Sequence, residues 1–366
     1  METVELREAL AGGRGEILDL GPSRHVRPRP PDLMIGAVTP ALMRAYFTES
    51  LVHGATVLRV REAEVLREGA VLLDGRFALC GQINVDPGYP ARFHADLAER
   101  RPALPVRRIA EEVVLLAGAG HDVYGHWLAD FLPKLYLLHR VGYRLERLRF
   151  LLPDDTPAFA RAWLAALGIG AERILPYAMW EERLACAHLV VPGALRHGSR
   201  AAPVLAEAAR FLLDRLGFRR PRWRPAPRPK SRLLVARAEN AATRNRRALA
   251  ERALLAERAA AHGFETVRPE ALPIPEQVAL FRSAATLLGE YGSGLHGSLF
   301  AEPGATVLSL RNGDPALGFL QSGIDHVLGH ASGYVIGTEP DAQGGFSVEP
   351  RDIEAALAWL GWARPA

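Results

Sequence analysis

A glycine-rich loop between an apolar run and a helical pattern carries the strongest chemical signal in the sequence. The loop follows a predicted strand at Ala285–Leu288, and three of its glycines have the G-x-G-x-x-G spacing. Glycines let the backbone turn tightly and let a phosphate approach main-chain N–H groups, while the dipole of the following helix favours an anion. We therefore expect the loop to bind an anion or a diphosphate; the alternative is a turn that serves only strand–helix packing. The loop consists of Gly292, Ser293, Gly294, Leu295, His296 and Gly297.

A histidine and a carboxylate four residues apart form a second candidate site. His126 and Asp130 lie in a helical pattern from about Tyr124 to His139, and their spacing puts both side chains on one helix face. A carboxylate can orient and charge an imidazole, or take a proton itself, so the pair suits acid–base catalysis. The alternative is a capping or surface pair. Pro133 is expected to kink this helix, because proline removes a hydrogen bond and clashes with the preceding turn.

Basic residues follow another predicted strand, Arg232–Ala236. Ligands of parallel sheets bind at the carboxyl ends of the strands, and a guanidinium there can hold a diphosphate through two hydrogen bonds. Arg237 and Arg244 are therefore candidate ligand-binding residues. Arg246 and Arg247 fit a solvent-exposed helix face better.

The glycine spacing is shared with nicotinamide-binding folds, so an NAD-dependent oxidoreductase is an alternative function. Two features count against it. The fingerprint normally lies in the first βα unit of its domain, whereas two or three predicted strands precede the loop here. The acidic residue expected about 20 positions further on would be Asp314, which lies in a predicted turn instead.

Several motifs of metal and nucleophile chemistry are absent from the sequence. It contains no D-x-D triplet, no H-E-x-x-H, no G-x-S-x-G and no G-x-x-x-x-G-K-[ST]. Positive side chains and helix dipoles would therefore have to stabilise any phosphate leaving group. We expect no metal ligands and no cofactor.

Predicted strands and helices alternate along most of the chain, which indicates an α/β fold with parallel sheets. In the N-terminal part, Asp74 and Gly75 separate two short apolar runs and predict a β-hairpin. The predicted parts are a β-rich N-terminal segment (1–110), an N-terminal α/β domain (111–218), a Pro/Arg-rich linker (219–230), a C-terminal α/β domain (231–335) and a C-terminal helical segment (336–366). We expect the last segment to pack back on the N-terminal domain.

The composition is that of a globular protein, with 366 residues, 49% of them hydrophobic and 23% charged. A formal net charge of +4 is too small to predict nucleic-acid binding without a clustered basic face. Cys80 and Cys186 form no C-x-x-C motif, and no stretch resembles a signal peptide or a membrane span. We expect a cytoplasmic protein. The linker at 219–230 is alternatively a basic arm for peripheral contact with a membrane surface.

Four segments of the sequence resemble the family 61 glycosyltransferases in order and spacing. They are Gly125–Leu135 (GHWLADFLPKL), Leu233–Arg237 with Arg244 and Asn245, Gly263–Glu270 (GFETVRPE), and Gly292–Phe300 with Pro303–Val307. The resemblance implies a GT-B fold, in which two Rossmann-like domains face a cleft. It also implies metal-independent, inverting transfer of a sugar from a nucleotide-sugar donor.

Site roles follow from the same resemblance, residue by residue. The C-terminal domain would hold the nucleotide diphosphate through the loop Gly292–Gly297 together with Arg237, Arg244 and Asn245. His126 and Asp130 would lie on the acceptor side of the cleft, in the N-terminal domain.

The function predicted from the sequence is therefore that of a bacterial glycosyltransferase in capsular or other polysaccharide biosynthesis. It would move a hexose or pentose to a glycan or lipid-linked glycan acceptor. Asp130 or His126 is expected to deprotonate the acceptor hydroxyl. A non-catalytic glycan-binding relative is the remaining alternative.

Overall fold

The computed structural model describes residues 2–80, 96–218, 230–237 and 248–362. Most of the predicted linker at 219–230 lies outside these ranges, as do two of the predicted ligand-binding residues, Arg244 and Asn245. Strands and helices alternate over the described residues, so the predicted α/β class is confirmed.

Strands and helices are numbered separately along the chain. The strands are β1 (Thr3–Glu5), β2 (Gly15–Asp19), β3 (Arg24–Val26), β4 (Leu33–Gly36), β5 (Ser50–Val52), β6 (Thr56–Leu66), β7 (Ala70–Leu73), β8 (Arg76–Leu79), β9 (Val106–Leu115), β10 (Phe150–Pro153), β11 (Ile174–Tyr177), β12 (Arg183–Pro192), β13 (Arg196–His197), β14 (Arg200–Ala201), β15 (Ser231–Val235), β16 (Glu265–Val267), β17 (Ala284–Glu290), β18 (Thr306–Arg311) and β19 (Ala331–Ile336). The α-helices are α1 (Leu6–Ala9), α2 (Pro40–Phe47), α3 (Leu97–Arg100), α4 (Tyr124–His126), α5 (Lys134–Arg140), α6 (Ala158–Ala166), α7 (Val204–Arg215), α8 (Arg252–Ala261), α9 (Ile274–Ser283), α10 (Leu320–Leu328) and α11 (Pro350–Trp362).

The chain forms two compact units. The first consists of Met1–His25, Leu51–Gly198 and Glu207–Phe218, and the second of Val26–Ser50, Ser199–Ala206 and Arg219–Ala366. The N-terminal segment, predicted as one β-rich part, therefore contributes to both units. The physical reason is β4, which pairs in parallel with β19 and so extends the sheet of the second unit.

The first unit is built on a nine-stranded mixed sheet in the order β1-β8-β7-β6-β12-β9-β10-β11, with β2 paired to β6. Strands β12, β9, β10 and β11 are parallel neighbours. Their registers align the carboxyl ends of these strands at one edge of the sheet: Leu115 of β9 lies beside Leu151 of β10, which lies beside Leu175 of β11. The segments that follow these strands therefore meet along this edge, which we name the first carboxyl edge.

The predicted hairpin is confirmed. Strands β7 and β8 form an antiparallel pair, in which Leu73 lies opposite Arg76. Asp74 and Gly75, between them, have φ angles of 51° and 75°. Both residues of a type I′ turn need this left-handed backbone, which explains the choice of Asp-Gly.

The second unit is built on six parallel strands in the order β16-β15-β17-β18-β19-β4. From β15 the chain first moves outwards to β16 and then returns to the other side of β15 with β17. Ligands of such open sheets bind at the carboxyl ends of the two strands where this direction reverses. We name the ends of β15 and β17 the switch point.

Helices cover both faces of this sheet. On one face, the apolar residues of α8 and α11, among them Leu255, Ile353 and Leu357, share a core with strand residues such as Leu234 and Leu308. The prediction placed the C-terminal helix on the N-terminal domain, and the structure places it here instead. An apolar helix face shows that a helix is packed, but its sequence does not say against which sheet.

A buried polar network lies under the glycine loop of the second unit. Gln321 accepts a hydrogen bond from His296 Nδ1 at 2.8 Å and donates to Ser298 Oγ at 2.9 Å and to Asp325 Oδ1 at 2.8 Å. Ser298 and Ser332 also donate to the Asp325 carboxyl, at 2.9 and 3.2 Å. Burial raises the pKa of Asp325 to about 8, although these donated hydrogen bonds act in the opposite direction.

We expect the variant Asp325→Asn to become more stable relative to the wild type as the pH rises. The wild-type carboxyl keeps its proton in the folded state up to about pH 8, whereas the ordinary pKa of an aspartate in the unfolded chain is 3.8. The carboxyl therefore stabilises the folded state fully below pH 3.8. This stabilisation, up to a few kcal/mol, is lost as the pH rises from there to about 8. Asparagine is neutral throughout; its amide oxygen can accept the bonds from Gln321 and Ser298, and its NH2 group can donate to Ser332 Oγ.

Urea unfolding of both proteins between pH 4.5 and 8.5 measures this difference. The difference in unfolding free energy between the two proteins reports on Asp325 alone, because all other titratable groups are present in both and cancel. A difference in unfolding free energy that stays constant over this interval would contradict the assignment.

Candidate active site

Three side chains of the first unit meet in one hydrogen-bonded cluster at the first carboxyl edge. His126 Nδ1 donates to Asp130 Oδ2 at 2.5 Å. Arg196 donates through Nε to Asp130 Oδ1 at 2.5 Å and through Nη2 to Oδ2 at 2.7 Å. The Asp130 carboxylate is therefore held by a two-point guanidinium contact and by the imidazole.

The first carboxyl edge explains why these residues meet. His126 and Asp130 follow β9, whereas Arg196 follows β12. The two strands are parallel neighbours with Val114 beside Val190, so their ends lie next to each other. Arg196 is further fixed by donating from Nη1 to the carbonyl oxygen of Gly198 at 2.9 Å.

A wide helical turn carries Asp130. The predicted continuous helix is interrupted between α4 and α5 by a π-helical turn, Trp127–Phe131, in which Leu132 N donates to Trp127 O at 2.9 Å. Pro133 follows directly and has no N–H to donate, which accounts for the break. Trp127 and Phe131 of this turn are buried and anchor it in the core.

The His126 ring lies directly against the backbone of Gly120. A methyl group at Gly120 would come within 2.6 Å of the ring, and Gly120 also has a left-handed φ of 79°. The neighbouring His121 is buried, with Nε2 2.8 Å from Asp155 Oδ1, and its carbonyl oxygen accepts from Trp127 Nε1 at 2.7 Å. The loop after β9 thus forms a fixed support for the imidazole.

Burial and charge act in opposite directions on Asp130. Burial raises the pKa of its carboxyl, but the positive charge of Arg196 and the hydrogen bond from His126 outweigh this and hold the pKa well below its usual range. Asp130 is therefore an ionised acceptor. Burial lowers the pKa of Lys134 to about 8, and the Asp130 carboxylate opposes that shift. Lys134 Nζ donates to the carbonyl oxygen of Leu116 at 3.3 Å.

The cluster is closed on one side and open on the other. The side chains of Asp130 and Arg196 are only 6% and 11% exposed, whereas that of His126 is 38% exposed. Because Nδ1 of His126 faces the carboxylate, the neutral ring carries its lone pair on Nε2. The accessible proton acceptor of the cluster is therefore the imidazole.

The switch point of the second unit brings together two of the predicted ligand-binding elements. Arg237 follows β15 and Gly292 follows β17. The Arg237 Nη1 atom would lie 3.7 Å from a methyl group placed on Gly292. Gly292, Ser293 and Gly294 are partly exposed here, so their backbone and the Arg237 guanidinium are neighbours at the place where such sheets bind ligands.

A partly buried ion pair lies beside Arg237. Arg252 donates through Nε to Glu290 Oε1 at 2.6 Å and through Nη2 to Oε2 at 3.1 Å. Burial lowers the pKa of the Arg237 guanidinium, while the Glu290 carboxylate raises it. Two guanidinium groups and one carboxylate leave one positive charge among these three side chains, which favours an anion.

The second half of the glycine loop lies in the core. It belongs to a 3₁₀ helix, Ser293–Phe300, in which Leu295, His296 and Gly297 are buried. A methyl group on Gly297 would come within 2.2 Å of the Phe281 ring. The third glycine of the G-x-G-x-x-G spacing is thus required by packing between this helix and α9.

Sequence reasoning missed Arg196. The apolar pattern predicts a strand only at Leu189–Val191, near the end of β12, whereas the strand begins at Arg183. Had the whole strand been assigned to the parallel sheet, the same rule that selected Arg237 would have selected the basic residue after its end.

The described ranges (2–80, 96–218, 230–237 and 248–362) contain neither a metal-binding cluster nor a membrane-spanning helix. No group of three or more His, Cys, Asp or Glu residues there could hold a metal ion. No helix within the same ranges is long and apolar enough to cross a membrane.

One protein family matches the chain. The model of the family described as Glycosyltransferase 61 matches residues 124–308, about half of the sequence. The matched region begins at the helix that carries His126 and ends in β18, so it includes both the Asp130 segment and the glycine loop. No curated protein matches the chain.

We expect Gly297→Ala to lower the free energy of unfolding by about 1–3 kcal/mol, because the added methyl group overpacks the contact with Phe281. Chemical denaturation measures the change. Gly361→Ala is the matched control: Gly361 is an exposed helical position with open space around it, so alanine there should be neutral or stabilising. Equal stability of the Gly297 variant and the wild type would show that packing does not require this glycine.

Proposed function

The chain belongs to the glycosyltransferase 61 family, and we propose that it transfers a sugar from a nucleotide-sugar donor to a hydroxyl group of a glycan acceptor. The observation that carries the proposal is the Arg196–Asp130–His126 cluster, in which the imidazole is more exposed than its two partners. Base catalysis of this kind is what an acceptor hydroxyl needs to become a nucleophile.

His126 is the base in this proposal, and Asp130 positions it. Asp130 is almost fully buried, and both of its oxygens already accept hydrogen bonds. An acceptor hydroxyl can approach the exposed His126 ring instead. The ionised carboxylate keeps the proton of the neutral ring on Nδ1 and stabilises the positive charge that develops when Nε2 takes a second proton.

The proposed transfer is a single inverting displacement. The acceptor hydroxyl gives its proton to His126 Nε2 while its oxygen forms a bond to the anomeric carbon of the donor sugar. The bond between that carbon and the diphosphate oxygen breaks on the opposite face, and the nucleoside diphosphate leaves with the electron pair. The proton then returns from His126 to solvent.

We assign donor binding to the switch point of the second unit. Arg237 and the partly exposed backbone of Gly292, Ser293 and Gly294 are neighbours there and supply a guanidinium and N–H groups. Such groups can stabilise the charge that develops on a leaving diphosphate without a divalent cation. Metal independence, inversion and the GT-B arrangement belong to this proposal.

The alternatives differ in what supports them. Nothing in the comparisons favours an NAD-dependent oxidoreductase, and the carboxylate of Asp314 caps a 3₁₀ turn by accepting from Ala316 N at 2.8 Å. A non-catalytic glycan-binding relative would bind saccharides but turn over no nucleotide sugar. The role in bacterial polysaccharide biosynthesis and the cytoplasmic location stay predictions.

A thermal-shift screen with UDP-, GDP-, CMP- and dTDP-sugars beside NAD⁺ tests the reaction class, because a ligand specific for the folded state raises the melting temperature. We expect stabilisation by at least one nucleotide sugar and its turnover, measured as nucleotide release. Stabilisation by NAD⁺ alone would contradict the proposal.

We expect His126→Ala and Asp130→Asn each to lower kcat by about 10²–10⁴-fold, because the first removes the base and the second removes the charge that orients it. Donor affinity should survive in both, since neither residue belongs to the unit that holds the proposed donor site. Steady-state kinetics with the donor found in the screen measures kcat, and calorimetry measures donor affinity.

His188→Ala is the matched control for these variants, because His188 is an exposed histidine on β12 outside the cluster. Its kcat should equal that of the wild type. Normal turnover in a folded His126→Ala variant would remove the imidazole from the mechanism.

We expect Arg237→Ala to weaken donor binding by about 1.5–3 kcal/mol, the range for loss of a charged hydrogen bond. Calorimetry with the donor nucleotide measures the change. Arg258→Ala, an exposed arginine of α8 that pairs with Glu354, should leave binding unchanged. If both variants bind the nucleotide as the wild type does, the switch point is not the donor site.

A further inference from the structure

An exposed tryptophan stands out on the first unit. Trp180 lies in the segment between β11 and β12 and is 53% exposed, more than any other large apolar side chain that the structure describes. Exposing an indole ring to water is unfavourable, so a fixed and exposed one is a candidate binding surface.

The ring is held in place from behind. The guanidinium carbon of Arg67 lies 3.8 Å from the centre of the Trp180 ring, so the two groups stack. Arg67 is itself 5% exposed, and its Nη2 atom donates to both oxygens of Asp96, at 2.6 and 2.5 Å. One face of the indole is thus covered by a fixed cation.

The backbone of Arg67 is equally constrained. It has a φ of 51°, which is uncommon for a residue other than glycine. Its N–H donates to Met179 O at 3.1 Å, and its carbonyl oxygen accepts from Tyr177 Oη at 2.8 Å. Both partners lie just before Trp180, so the turn and the tryptophan segment are tied together.

The Trp180 segment is linked to the loop that supports His126. Trp180 follows β11 and His126 follows β9, and the carboxyl ends of these strands are aligned through β10. The turn after Arg67 also touches the loop after β9, since a methyl group on Gly69 would lie 3.1 Å from Ala117 O. Gly120 of the same loop lies against the His126 ring, so the supports of the two side chains are in contact.

We propose that the open face of Trp180 is an acceptor subsite that stacks against a pyranose ring of the glycan, away from the reacting hydroxyl. The subsite rests on the proposed function, because it takes the acceptor to be a saccharide. The axial C–H groups of a pyranose carry partial positive charge, and the face of an indole ring is negative, so the two surfaces attract and exclude water. The fixed ring loses little conformational freedom on binding.

The test compares three substitutions at one position. Trp180→Phe keeps an aromatic face, Trp180→Leu keeps an apolar cover over Arg67 without one, and Trp180→Ala removes both. The full-length proteins are applied to a printed array of oligosaccharides with hexose, pentose and N-acetylhexosamine backbones. We expect the Leu and Ala variants to bind about tenfold more weakly, and the Phe variant to retain most of the binding.

Controls separate this role from folding and from the catalytic proposal. Phe47→Ala removes an exposed aromatic side chain of the second unit and should not change glycan binding. Melting temperatures show whether each variant is folded. Nucleotide release from the donor without acceptor is measured for every variant, so that loss of the donor reaction is distinguished from loss of glycan binding.

Three other results would contradict the proposal that Trp180 binds a pyranose ring. Wild-type binding by Trp180→Leu would mean that the indole only covers Arg67. A lower mass of Trp180→Ala in sedimentation would mean that Trp180 joins two copies of the chain, and a wild type that binds no glycan on the array would leave the ring without its ligand. Failure of the wild type to turn over any nucleotide sugar would instead refute the proposed function, a result read from a separate assay.

Discussion

A buried carboxylate held by a guanidinium and an imidazole sets the geometry of the first carboxyl edge. Removing an ionised carboxylate from water costs several kcal/mol unless charged hydrogen bonds replace its solvent. For Asp130 the replacements are the two-point contact from Arg196 and the hydrogen bond from His126. Each partner is thereby fixed in turn. The imidazole cannot rotate without leaving the carboxylate short of a donor, so its orientation follows from the electrostatics of the interior.

The parallel sheet brings the members of this cluster together although they are far apart in the sequence. Asp130 and Arg196 are 66 residues apart along the chain, but the strands before them are neighbours and end at the same edge. The same rule operates at the switch point of the second unit, where Arg237 and Gly292 follow neighbouring strands. In both units the strands supply rigid positions and the segments after them carry the candidate site residues.

The features of the fold and of the candidate site that the sequence could predict are those set by residues close together in the chain. The Asp74 and Gly75 turn and the shared face of His126 and Asp130 depend on residues close in the chain, and both are present. Arg196 and the packing of α11 depend on which strands become neighbours, which no local pattern specifies. Strand β4 shows the same limit, because its partner β19 lies some 300 residues away.

The glycine loop shows why a motif can be placed correctly and still leave its function open. Its spacing combines two separate requirements: partly exposed backbone at Gly292 and Gly294, and close packing of Gly297 on Phe281. The second requirement, a glycine where two helices on the same face of a sheet pack closely, does not depend on which ligand is bound. The spacing alone therefore cannot separate a dinucleotide site from a nucleotide-sugar site. Among the residues that the structure describes around the exposed half of the loop, Arg237 and Arg252 outnumber Glu290. Asp314, at the position expected for a ribose-binding carboxylate, caps its own turn instead.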